Sequence, residues 1–241
     1  MTRTFFSLLL SFVSLHLAAQ SHTQKVYEGT IMAKIPIVLT LTQDGSAVFG
    51  NVVYKKKGIP IPVVGGSSEG TIYLHELMAN GDITGIYSME IKGSELTGVW
   101  MAPKANAKEL KIALKEITRK TVPVKPLPDL TGTYTYSFGD EDASGEILVQ
   151  QNGSKLLIAL SAVTSGPAYN QAIIDLTTLT LKGNKAVYTT NEYGACKIQF
   201  TFSQNALRVD HLNDAYDCGF GNRATATGGY IRTSTSKPAF E

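Results

Sequence analysis

The sequence predicts an all-β protein: two small antiparallel β-barrels or curved meanders joined by a proline-rich linker. Three observations carry this. Short runs alternating apolar with polar residues recur along the whole chain. Turn dipeptides punctuate them at Asp44-Gly45, Asn80-Gly81, Lys92-Gly93, Asn152-Gly153 and Gly183-Asn184. Prolines gather near the middle, at 123, 126 and 128.

The chain has 241 residues, 43% hydrophobic and 17% charged, with 22 glycines and 9 prolines. Ordinary globular chains carry about 25% charged residues, so disorder and coiled coil are excluded. The formal net charge is +2, too small a field to steer the chain onto nucleic acid.

Residues 1–20 read as a cleavable export signal. Arg3 supplies the positive end, Phe5 to Leu17 the apolar run, and Ala18, Ala19 and Gln20 the small-residue region, with cleavage after Ala19 or after Ser21. The run is too short to span a bilayer, and no later stretch is long and apolar enough for a transmembrane segment. The mature protein is therefore expected in the periplasm or outside the cell.

Residues 21–120 form the first predicted domain, with strands at Ile35 to Leu41 and Thr71 to Met78. Asn106 to Glu116 also alternates, Leu110, Ile112 and Leu114 opposing Lys111, Ala113 and Lys115, and reads as the closing strand. Residues 121–129 form the linker, semi-rigid because its prolines favour an extended backbone. Residues 130–241 hold eight candidate strands between Leu130 and Arg232, a number that suits a small barrel or a curved meander. Residues 21–120 carry twelve Lys/Arg against nine Asp/Glu, and residues 121–241 nine against eleven. That asymmetry would favour association of the two domains.

Glycine followed two residues later by an aromatic recurs as Gly85-Ile-Tyr87, Gly98-Val-Trp100, Gly132-Thr-Tyr134 and Gly228-Gly-Tyr230. Such rings share a strand face with their glycine. They are expected to fill the barrels, and Tyr87, Trp100 and Tyr134 are candidates to line a ligand cavity. Cys196 and Cys218 are the only cysteines; in an exported chain they are expected to form one disulfide, stapling the turn Asp217 to Gly221 to a strand. The adjoining Tyr216, Phe220 and Arg223 form a second candidate binding surface.

Catalytic patterns are weak. Gly66-Ser67-Ser68-Glu69-Gly70 matches G-x-S-x-G, but no helix is predicted after it, so it reads as a flexible hairpin loop. His75 precedes Glu76 and His211 follows Asp210. Adjacent strand residues face opposite ways, and both histidines are expected at the surface or in cross-strand positions. Asp140-Glu141-Asp142 reads as a solvated turn rather than a calcium loop. No catalytic residue, metal or cofactor is assigned.

The tail Cys218-Gly-Phe-Gly221, Ala224 to Tyr230 and Lys237-Pro-Ala-Phe240 resembles one found in small exported bacterial β-proteins. Tyr54 to Gly58, Leu74-His-Glu76, Asp82-Ile-Thr-Gly85 and Leu96 to Trp100 followed by Pro103 are similar to a second piece of such proteins. These glycine, aromatic and cysteine motifs imply a fold and carry no activity. A looser likeness, through G-x-W/Y, is to avidin- and lipocalin-type barrels. The functional expectation is an exported, non-enzymatic binding module for a protein partner or small ligand, an enzyme inhibitor being one form of it. A secreted hydrolase and an envelope-associated structural protein are the alternatives.

Overall fold

The computed structural model describes residues 21–139, 143–213 and 215–240. The export signal expected at residues 1–20 and the turn expected at residues 140–142 lie outside the described residues. The first eight strands are β1 (Ser21–Ile31), β2 (Ile35–Asp44), β3 (Ala47–Tyr54), β4 (Pro60–Ser68), β5 (Thr71–Leu77), β6 (Ile83–Lys92), β7 (Glu95–Met101) and β8 (Leu110–Pro123). Each pairs antiparallel with its sequence neighbour, and β8 returns to β1, closing a barrel. Alternation decides what goes inside: Ile37, Leu39 and Leu41 of β2 are buried, as are Ile72 and Leu74 of β5 and Ile112 and Leu114 of β8. The predicted closing strand is β8, in register with β1 from Ser21↔Pro123 to Ile31↔Ile112.

Eight further strands make the second sheet. They are β9 (Gly132–Ser137), β10 (Ser144–Asn152), β11 (Lys155–Val163), β12 (Gln171–Thr180), β13 (Lys185–Thr190), β14 (Cys196–Phe202), β15 (Ala206–His211) and β16 (Gly228–Ser234). Their order is β12-β11-β10-β9-β16-β15-β14-β13, so the two edges are strands consecutive in the chain. β12 and β13 meet through a single bridge at their turn, Lys182↔Lys185, and do not zip together. The result is a strongly curved meander with an open seam. The Cys196–Cys218 disulfide is formed. It ties a 3-10 turn, Ala215–Cys218, to the start of β14, and Gly221 N–H bonds the Gln171 carbonyl at 2.9 Å, covering the start of the β12 edge.

Two local expectations change. Gly66, Ser67 and Ser68 are strand, paired with Tyr73, Ile72 and Thr71, not loop. Only Glu69 and Gly70 turn, both at positive φ (50° and 78°), as a two-residue hairpin requires. The linker residues Thr121–Pro123 are likewise strand, because they pair with the start of β1.

The two sheets pack together. Ala47, Phe49, Val64, Leu77 and Ile83 from the outer wall of the barrel form one buried cluster with Ala206 and Ile231 of the meander. The meander's backbone comes so close that a Cβ at Gly229 would lie under 3.0 Å from Val64. Ser137 N–H bonds the Gly81 carbonyl at 3.0 Å, and Ser46 bonds Asp210 at 3.2 Å. Asp44 of the barrel bonds Lys185 and Asn184 of the meander at 2.7 and 2.6 Å. That ion pair runs opposite in sign to the net-charge asymmetry of the two halves.

Candidate binding cleft between the barrels

Register builds the site. Lys120 pairs with Gln24, Gln24 with Thr42, Thr42 with Phe49, Phe49 with Val64, and Val64 with His75. Directly opposed residues share a sheet face, so these six form one row across the outside of the barrel. The meander covers half of it. Phe49 and Val64 are buried there, and His75 meets Phe138 edge-to-face, ring centroids 5.4 Å apart. Of the two expected placements, His75 takes the cross-strand one, opposite Val64 and Ile86. Burial, reinforced by the positive charge of Arg208, pulls its pKa down to about 4.

The uncovered half, Lys120, Gln24 and Thr42, borders a cleft of about 630 Å³ together with Asn51 and Pro62. Linker residues Pro123, Val124, Lys125 and Leu127 and the β14–β15 turn, Ser203 to Asn205, also line it. The linker is pinned: Gln204 Nε2 bonds the Pro126 carbonyl at 3.1 Å, and Arg232 bonds the Asp129 and Thr131 carbonyls at 2.7 and 2.6 Å. Ligand pockets typically run from about 300 to 1,000 Å³ and favour domain interfaces.

Asp44 is the one carboxylate in the cleft lining among the described residues. Burial acts to raise its pKa, but the bonds from Lys185 and Asn184 outweigh that and hold the carboxyl below its usual range. Lys120 and Lys125 line the same cleft and form no ion pair among the described residues. His22 and Ser203 also line it, but no hydrogen bond joins them into a nucleophile–base pair. Among the described residues no group of three or more His, Cys, Asp or Glu converges as a metal site needs, and no helix is long and apolar enough to cross a membrane.

The six predicted site residues lie elsewhere. Tyr87 and Trp100 oppose each other across β6 and β7 inside the first barrel. Tyr54 and Tyr87 both donate to Glu76 Oε1, Tyr54 at 2.5 Å, and Thr84 donates to Oε2 at 3.3 Å. Burial first, then the Glu76 charge, raises both tyrosine pKa values far above the ordinary range. A Cβ at Gly85 would lie under 3.0 Å from both Trp100 Nε1 and Glu76, which explains the glycine in that Gly-x-Tyr motif. The indole N–H itself is buried without a partner among the described residues.

Tyr134 is fully buried in the second core, its hydroxyl bonding the Leu130 carbonyl at 3.1 Å and its pKa pushed by burial to about 12. Tyr216 is 84% exposed on the 3-10 turn, and Phe220 packs edge-to-face on His211 at 5.9 Å. Arg223 is exposed in a turn at φ 62°. The structure therefore brings Tyr87 to Trp100, and Tyr216, Phe220 and Arg223 onto one stapled loop. None of the six lines the cleft. The cleft residues gave one signal in the sequence, their polar places in alternating strands.

A second recess of about 570 Å³ lies at the β12–β13 seam, lined largely by threonines such as Thr177, Thr178 and Thr189. No protein-family model, curated protein or solved structure matches this chain.

Proposed function

We propose that the protein is an exported, non-enzymatic binding module that holds a small ligand between its two domains. The observation that carries this is the cleft itself: ligand-sized, lined by both domains and the linker, with polar and apolar residues together in its lining. Both interiors, by contrast, are packed with buried side chains, Tyr27, Tyr87 and Met89 in the first and Tyr134, Phe200 and Tyr230 in the second. Export is supported by the apolar N-terminal run of the sequence and by the disulfide. Native mass spectrometry of the mature protein, purified gently from its producing cells, tests the reading. The expected result is a small mass increment in the wild type that is absent from Asn51→Trp, whose indole fills the cleft. Bare chain mass in both would refute tight binding.

A second reading, a protein partner, is favoured by the stapled loop, where Tyr216 and the neighbouring Tyr193 are 84% and 66% exposed. Exposed aromatics on a constrained loop suit an interface anchor. A large co-purified species lost on Tyr216→Ala would support it.

A further inference from the structure

We infer that the cleft takes an amphipathic organic anion, an aromatic or aliphatic body carrying one carboxylate or sulfonate. This rests on the cleft being the binding site.

Charge is the first argument. Lys120 lines the cleft from β8 and Lys125 from the linker that continues it, so two lysines border the same space. Neither has a carboxylate partner among the described residues. Asp44, the one acid in the lining among the described residues, is already held by Lys185 and Asn184. The positive charge of the cleft is thus uncompensated, and low-dielectric walls concentrate its field on whatever enters.

The walls give the second argument. Pro62, Val122, Val124 and Leu127, all only half-buried, offer apolar surface for a hydrocarbon body. A bare inorganic anion would leave that surface in water, and a neutral polyol would leave the lysines unmatched. The side chains of Asn51 and Asn205, also in the lining, supply amide groups that can orient a ligand beside the apolar residues.

The test compares two dyes of nearly the same shape, 1-anilinonaphthalene-8-sulfonate and its uncharged counterpart N-phenyl-1-naphthylamine, by fluorescence titration of the folded mature chain. The sulfonate is expected to bind at least tenfold more tightly, and added salt should weaken it alone. In the double variant Lys120→Gln, Lys125→Gln the two dyes should bind equally, and Asn51→Trp should abolish both. Asn205→Trp, from the β14–β15 turn, repeats the block should the first variant fold poorly. Equal affinities in the wild type, with both lost in the blocked variants, would overturn the anion and leave the cleft standing. Dye binding that survives both blocks, or no binding at all, would overturn the cleft as the site and the anion with it.

Discussion

The two domains reach eight strands in different ways. The first closes by main-chain pairing, β8 running beside β1 from end to end. The second never closes: β12 and β13 part after one bridge, and a disulfide holds the loop that covers the start of the exposed edge. Their buried tyrosines differ as well. In the second domain Tyr134 and Tyr230 each bond a carbonyl four residues earlier, at Leu130 and Ala226. In the first, Tyr54 and Tyr87 converge on the side chain of Glu76, only 2% exposed. One domain is thus held by long-range polar convergence, the other by local bonds and a covalent staple. Both solutions fill the interior, which moves the search for a ligand to the surface between them.

The sharpest way to break the contrast is Glu76→Ala. It strands two buried hydroxyls and opens a cavity, and should destabilise the first domain by about 4 kcal/mol. Glu76→Gln keeps an acceptor and should cost about 1 kcal/mol. Thermal unfolding of the two variants, followed by Trp100 fluorescence, checks the difference. Cys196→Ser should next cost about 3 kcal/mol, from the 22-residue separation that the disulfide spans. That loss should appear only in the second domain, as an early calorimetric transition with Trp100 fluorescence unchanged.

Acid tests the joint. The pKa of His75 is lowered to about 4 in the folded state. Its contribution is therefore full above the ordinary histidine range, near 6.5, and is lost as pH falls toward 4. The depressed carboxyl of Asp44 acts in the same direction, at pH values below its usual range. Docking should weaken by at most about 3 kcal/mol between pH 7 and 4, seen as loss of amide protection around Val64 and Ile231, and His75→Phe should remove most of the effect. The smallest expected change is Tyr134→Phe, about 1 kcal/mol, since it removes one local bond and keeps the ring.

Much of the fold was legible because it is local. The period of two found the core of β8, Leu110 to Glu116, though not its extension to Pro123, and Asp44-Gly45, Lys92-Gly93 and Asn152-Gly153 each lie at or beside a hairpin turn. The disulfide was legible from two cysteines in a chain read as exported. The cleft was not legible, because the row Lys120, Gln24, Thr42, Phe49, Val64 depends on the register of five strands, one of them, β8, far from the others in sequence, and on where the second sheet docks. His75 and Glu76 show the same divide. Their opposite orientations follow from the strand period, but that one meets Phe138 of the other domain and the other two tyrosine hydroxyls is a tertiary fact.

The most direct test of a ligand site between the domains is amide shift mapping of the isotopically labelled protein titrated with 1-anilinonaphthalene-8-sulfonate. Perturbations should concentrate at Gln24, Thr42, Asn51, Lys125 and Asn205, the residues that border the cleft. Perturbations centred instead on Tyr54 and Trp100 inside the first barrel, or on Thr177 to Thr189 along the open seam, would contradict it.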